Sequence, residues 1–250
     1  MKTYLLTLSY DGTDFHGWQR QNNLPTVQKV LEDALAEFAD SPVTVTASGR
    51  TDEGVHALGQ TASFSCETSV PAHKLAAALN SRLPQSVRAV SCKEVLSGFC
   101  ARRSAKRKTY VYRMYVSPRP LPHFERYALR LDCAPNVEFM KKAAAAIEGT
   151  HDFKEFYCLG SSAKTTVRTV FSCSFELFEP RGITPAVCEF KICGDGFLYK
   201  MVRLLAGALL ALNCGKLTLE DFKAAVGGEA GKVKKVPAEA KGLTLVSVEY

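Results

Sequence analysis

At 250 residues, with 46% hydrophobic and 23% charged residues, the chain has room for two compact domains and the proportions of a globular protein, which excludes a disordered or fibrous one. A formal net charge of +7 favours an anionic partner without naming one. The start, MKTYLLTLSYDG, lacks the apolar run of a secretion signal, and the longest apolar stretch, residues 204–212, is far short of the roughly 18–20 residues of a membrane span.

Residues 3–9 are rich in β-formers and stop at Tyr10-Asp11-Gly12, which predicts a strand and a turn. Val27, Val30, Leu31, Ala34, Leu35 and Phe38 recur at helical spacing behind Thr26, a good N-cap residue. Residues 42–47 and 60–65 read as strands around the Gly-containing segment 48–59. Residues 71–82 read as a helix and 87–95 as extended chain, so the first half runs β-α-β-β-α-β. In the second half, residues 109–116 form a strand that places Tyr110, Tyr112, Met114 and Val116 on one face. An alanine-rich helix over 137–148 is closed by Gly149. Strands over 167–178 and 186–193 precede a Gly194-Asp195-Gly196 turn, helices over 197–212 and 219–226, and a last strand over 243–250. Apart from one extra helix the order repeats. Two tandem ferredoxin-like (RRM-like) βαββαβ units, residues 1–104 and 105–250, are the simplest α+β architecture for it. Such units host RNA-binding sheets, regulatory modules and enzymes alike, so the site must decide.

The densest chemical signal is SGRTDEGVHA at residues 48–57, which packs two glycines, an arginine, two carboxylates and a histidine between two strands. A polar loop by default caps local backbone groups. The chemical reading rests on Arg50 and Asp52. In extended chain, residues two apart share a face, so these two can form a close ion pair that favours the ionised carboxylate. Nine scattered cysteines, with no CxxC and no Cys/His pair at zinc-finger spacing, read as reduced packing residues of a cytoplasmic protein and indicate no metal site.

SGRTDEGVHALGQ, beginning at Ser48, resembles the signature of the tRNA pseudouridine synthase A family, enzymes that act at tRNA positions 38, 39 and 40. YDGTDFHGWQRQ from Tyr10, KTYVYR from Lys108, GTHDF from Gly149, KTTVRTV from Lys164 and GDGFLYKMVR from Gly194 match in the same order, so the resemblance spans almost the whole chain. It implies a pseudouridine-synthase fold with a central antiparallel or mixed sheet. It makes Asp52 the nucleophilic or basic aspartate, with Arg50 and Arg203 lining the pocket and Arg203 pairing with the carboxylate. Tyr110 packs against the target base. Arg20, in the segment 15–21, and the basic residues after Cys100, among them Arg102, Arg103 and Arg107, hold the anticodon stem-loop of the tRNA. A homodimer without metal or organic cofactor is implied. The reaction breaks the bond from ribose C1′ to uracil N1, turns the base and rejoins it through C5, so no group is added and no electrons are exchanged. A carboxylate could attack C1′ or remove a proton from C2′, and the residues do not separate the routes. Departing uracil gathers negative charge, which guanidinium groups stabilise. A base in a stem must also be extruded, at a cost of a few kcal/mol. Residues 227–241 depart from the family pattern, where an Ala-Pro-Ala-like turn precedes the final Gly-Leu.

Arg203 stands out by itself. It lies near the start of an apolar helix, where the helix dipole disfavours a cation, flanked by Met201, Val202, Leu204 and Leu205. It must reach water or find an anionic partner, for which Asp52 is the candidate. Arg102, Arg103, Lys106, Arg107, Lys108, Arg113 and Arg119 fall in a stretch, residues 101–119, that has no acidic residue and that includes Tyr110, Tyr112 and Tyr115. That combination is expected where phosphates and bases touch protein. Trp18 stays open between stacking on RNA and packing, and His56 and His151 read as hydrogen-bonded structural residues. A noncatalytic RNA-binding protein would explain the basic run but give Arg50 and Asp52 no task. A metabolite-binding module on the same fold would not need the run.

Overall fold

Tyr4, Leu6, Leu8 and Tyr10 alternate onto one face of a strand, none more than 4% exposed, and this strand organises the first of two units in the computed structural model, which describes residues 1–158, 160 and 163–250. The first unit takes in Met1–Lys106 and Thr244–Tyr250, the second Arg107–Leu243. In chain order the first contains β1 (Lys2–Tyr10), α1 (Val27–Ala36), β2 (Thr46–Ala47), β3 (His56–Cys66), α2 (Ala72–Asn80), β4 (Val87–Val95) and α3 (Ala101–Ser104). The second contains β5 (Arg107–Val116), α4 (Pro122–Glu125), β6 (Leu129–Leu131), α5 (Val137–Ala145), β7 (Gly149–Asp152), β8 (Val167–Phe178), β9 (Val187–Gly194), α6 (Met201–Asn213) and α7 (Leu219–Val226). The last strand, β10 (Leu243–Glu249), returns the chain to the first unit. The described residues thus make an α+β protein of ten strands and seven α-helices, and no helix among them is long and apolar enough to cross a membrane.

In the first unit β1 lies between β4 and β3, antiparallel to both. β3 also pairs antiparallel with β2 through Ser63 and Ala62, and parallel with β10 through His56 and Ala57. Thr26 caps α1 as its sequence position suggests, its side chain accepting from the Lys29 N–H. Leu31 and Leu35 on that helix are buried with Leu6 and Leu8 of β1. The strand expected over 42–47 shrinks to Thr46–Ala47. Two helix side chains are the reason: Glu32 Oε1 accepts from the Val45 N–H at 3.1 Å, and Gln28 Nε2 donates to the Val45 carbonyl at 3.2 Å. Two side chains of α1 thereby take the place of a neighbouring strand.

In the second unit β5, β9, β8 and β7 form an antiparallel ladder, and β6 runs parallel to the end of β5. Tyr112, Tyr115, Phe153, Phe156, Phe175, Phe190 and Phe222 are fully buried there. Large side chains of this kind contribute about 1.5–3 kcal/mol each. Two helix boundaries move from expectation. The helix at 137 ends at Ala145, and Gly149 begins β7 instead of closing the helix. The helix expected from 197 begins only at Met201, because Lys200 adopts a left-handed conformation at φ 60° and Met201 N–H donates back to the Leu198 carbonyl. The small elements α4, β6 and β7 add to the order read from the sequence, and β10 pairs with β3 of the first unit.

Because Leu245 of β10 is fully buried beside the start of β3, Leu245→Ala is expected to destabilise the protein by about 2–5 kcal/mol. A denaturant midpoint that stays at the native value would show that β10 does not complete this core.

Candidate active site

The loop between β2 and β3, residues 48–55, carries Asp52 and has no sheet ladder of its own. Its backbone is held from outside. The Trp18 N–H donates to the Thr51 carbonyl at 3.0 Å, the Gly54 N–H donates to the Phe15 carbonyl at 3.4 Å, and the Ser48 N–H donates to the Thr61 carbonyl at 2.8 Å. Within the loop the Val55 N–H donates to the Asp52 carbonyl at 3.2 Å. The segment that follows β1 lies directly on this loop. A Cβ on Gly12 would stand 2.0 Å from the Val55 carbonyl oxygen, and one on Gly17 would stand 2.7 Å from that of Thr51. Gly17 also has φ +83°, a conformation that disfavours other residues. The motif from Tyr10 and the motif from Ser48, remote in sequence, are thus two layers of one structure.

Asp52 is half-buried on this frame. His56 is buried, and its Nδ1 accepts from the Gly12 N–H at 3.0 Å and lies 3.3 Å from Asp11 Oδ1, consistent with the structural reading of this histidine. Arg50 is exposed and makes no ion pair among the described residues, so the close pair expected with Asp52 is not formed. Residues 50–52 belong to no strand, so no ladder imposes the alternation that would keep both side chains on one face. Trp18 is 2% exposed, with its ring 6.3 Å from that of Tyr10, so it packs in the core and is no stacking platform.

The remaining cations of the first unit differ in how they are held. Arg20 sends a guanidinium N–H to Glu32 Oε2 at 2.9 Å while its backbone N–H donates to Gln28 Oε1 at 3.0 Å, so α1 grips both ends of it. Arg102 and Arg103 lie exposed on α3, which is tied to β3 by the Ala101 N–H donating to Ser63 Oγ at 2.9 Å. Neither arginine makes an ion pair among the described residues.

In the second unit Arg203 occupies the first turn of α6, half-buried, and its Nε donates to the Ala238 carbonyl at 2.8 Å. The Ala238 N–H donates in return to the Arg203 carbonyl at 2.9 Å. Nothing in the composition of the tail hints at this role. The altered stretch before Gly242 nonetheless holds Arg203 through the backbone N–H and carbonyl of Ala238. Tyr110 is 8% exposed and meets Phe197 edge-on at 5.3 Å. The Arg107 guanidinium lies 4.7 Å from the centre of the half-exposed Phe171 ring. The basic run is less uniform than its sequence. Arg113 is neutralised by Glu189 across the β5–β9 ladder at 2.7 Å. Tyr112 and Tyr115 are fully buried, with hydroxyls committed to the Glu239 carbonyl and to Glu125, so they do not meet bases.

A family model described as tRNA pseudouridine synthase matches residues 7–102 and 143–250 of the chain. A protein of Thermoanaerobacter sp. (strain X514) named tRNA pseudouridine synthase A is 38% identical over 250 residues, covering 100% of both chains. One of Methylacidiphilum infernorum (isolate V4) with the same name is 40% identical over 248 residues, covering 99% of this chain and 95% of its own length. Another of that name from Acetivibrio thermocellus is 38% identical over 250 residues, again covering both chains fully.

Gly17→Ala tests the layering of the two segments. The left-handed φ and the Thr51 carbonyl together predict a loss of about 1–3 kcal/mol, with faster amide hydrogen exchange over residues 48–55 than elsewhere in the unit. Native exchange in that loop would show that the segment after β1 does not hold it.

Proposed function

Because the chain belongs to the tRNA pseudouridine synthase family, whose members are isomerases, we propose that it converts uridine to pseudouridine at positions 38, 39 and 40, in the anticodon stem-loop, with Asp52 as its catalytic carboxylate. The observation that carries this reading is the frame around Asp52: a half-buried carboxylate on a loop whose backbone is fixed by two neighbouring segments. Attack at C1′ or proton removal at C2′ requires a carboxylate that stays within a narrow range of positions, and a fixed loop supplies that. Arg203 and Arg50 are assigned the negative charge that gathers on uracil as the C1′–N1 bond breaks. After the base turns, C5 bonds to C1′, its hydrogen leaves to solvent, and N1 takes up a proton, so the overall change is an isomerisation. Tyr110 is assigned to the wall of the base pocket. Exposed Arg102, Arg103 and Arg107, where no carboxylate competes, are assigned to tRNA phosphates, and Arg20, which shares its guanidinium with Glu32, is assigned to them as well.

The same reading takes the protein as two tandem ferredoxin-like units divided near residue 104. The β4-β1-β3 order with β2 on β3 supports it for the first half, and the antiparallel β8-β9-β5 ladder with helices α5 and α6 for the second. A homodimer in the cytoplasm, working without a cofactor, completes the proposal.

The central claim is tested by tritium release from tRNA labelled at uracil C5. Asp52→Asn keeps the side chain's size but removes its charge, and it is expected to abolish release while leaving tRNA affinity within a few fold. Measurable turnover, with deamidation back to Asp excluded by mass spectrometry, would move the reactive carboxylate elsewhere.

The binding assignment is tested separately by salt titration. Changing Arg102, Arg103 or Arg107 one at a time to Ala is expected to lower the slope of log affinity against log salt by about one unit for each phosphate left without its guanidinium. Arg113→Ala, whose cation is already neutralised by Glu189, should leave the slope in place. Equal slopes for all four variants would put the tRNA on another surface.

A further inference from the structure

Four buried polar side chains around the Asp52 loop form one connected set that the reaction does not itself call for. Ser48 and Gln60 are 0% exposed, Tyr10 is 4% exposed and Thr51 is 7% exposed. Two backbone groups fix the Gln60 amide: its Oε1 accepts from the Thr61 N–H at 3.1 Å, and its Nε2 donates to the Gly49 carbonyl at 2.9 Å. With that orientation set, the Ser48 hydroxyl must donate to Oε1, at 2.8 Å. The same Nε2 reaches the Tyr10 hydroxyl at 3.4 Å, a weak bond, and the Tyr10 hydroxyl lies 2.8 Å from Thr51 Oγ1. Burial pushes the Tyr10 phenol up to about 12, so it keeps its proton as a donor throughout the neutral range. The set runs Ser48 to Gln60 to Tyr10 with each donating to the next, and either hydroxyl can donate in the Tyr10–Thr51 bond. It connects the central strand β1 and the strand β3 to both the start of the loop and the residue next to Asp52.

A buried polar set of this size is costly unless complete, and apolar packing of the same volume would serve stability equally well. What such a set adds is a single permitted arrangement. The loop it touches lacks a ladder, so its shape depends on these bonds more than a strand's would. We infer that Tyr10, Gln60 and Thr51 are positioning residues for the proposed isomerisation, setting the placement of Asp52 through the Thr51 hydroxyl without touching the substrate. The inference rests on Asp52 being the catalytic carboxylate, as proposed above.

The test compares Thr51→Val, which keeps the side chain's shape and removes its hydroxyl, with Thr51→Ser, which keeps the hydroxyl, and adds Tyr10→Phe. All are assayed with full-length tRNA well below their unfolding midpoints, with Asp52→Asn as reference. Thr51→Val and Tyr10→Phe are expected to lower kcat by roughly ten- to hundredfold, with tRNA Kd within about twofold of native, while Thr51→Ser stays near native. Were Tyr10→Phe not to fold, the Thr51 pair would carry the comparison alone. Native kcat in Thr51→Val, equal losses in Thr51→Val and Thr51→Ser, or a loss confined to tRNA affinity would each overturn the inference. An inactive Asp52→Asn beside a fully active Thr51→Val defeats the positioning role alone. Turnover by Asp52→Asn defeats the reading beneath it.

Discussion

Every buried backbone N–H and carbonyl needs a partner, and a chain that leaves its sheet must find those partners elsewhere. Residues 48–55 leave the sheet between β2 and β3, and much of the first unit is arranged to meet their demand. The turn after β1 supplies the Trp18 N–H and the Phe15 carbonyl, and the Gln60 side chain supplies an amide for the carbonyl of Gly49. For two backbones to come that close, no Cβ can stand between them, which is why Gly12 and Gly17 sit where they do. The burial of Trp18 follows as well: once its backbone bonds Thr51 on one side and the Gln28 N–H on the other, its ring turns inward against Tyr10.

The same device recurs at α1. Gln28 and Glu32 satisfy both polar groups of Val45, and the second oxygen of Glu32 goes to Arg20. A helix flank thus ends a strand and fixes a cation in one stroke. Four of the arginines illustrate three physical states. Arg20 is anchored to a nearly buried carboxylate, Arg113 is neutralised across a ladder, and Arg102 and Arg103 stand exposed on a short helix. Only the last state leaves the whole charge for an outside anion, since a paired guanidinium must first give up its partner.

How far the sequence discloses this depends on whether the deciding interaction is local. β1, β4 and β8 are legible because alternation and flanking turns are written within a few residues. The start of α6 is not, since Phe197 and Leu198 continue its apolar rhythm while the left-handed Lys200 interrupts the backbone. The strand at residue 42 reads well in sequence and fails because Gln28 and Glu32, far upstream, take the bonds of Val45. Arg113 belongs to an acid-free run along the chain, but its counter-charge lies across the sheet. Asp52 is legible as a candidate through its motif. Its supporting residues are not: Ser48, Thr51 and Gln60 look like ordinary loop and edge residues, and nothing in their spacing says that they face inward.

The chemical character of the support matters as much as its rigidity. An aspartate that is to act as nucleophile or base must remain an anion while the uracil beside it also gathers negative charge. Holding its loop with buried ions would add fixed charges within a few ångströms, each altering both the carboxylate and the departing base. The buried set that touches it consists of a phenol, an amide and two hydroxyls, joined by backbone N–H and carbonyl groups. The one of them that can ionise, Tyr10, is kept neutral by burial. On the proposed reading these dipoles fix geometry without adding charge of their own, and charge belongs to the residues assigned a task for it: Asp52 for the ribose, the arginines for uracil and phosphate. A neutral hydrogen-bonded set beside a charged reactive group lets placement be set without adding charge, and the isomerisation proposed for this chain depends on both placement and electrostatics.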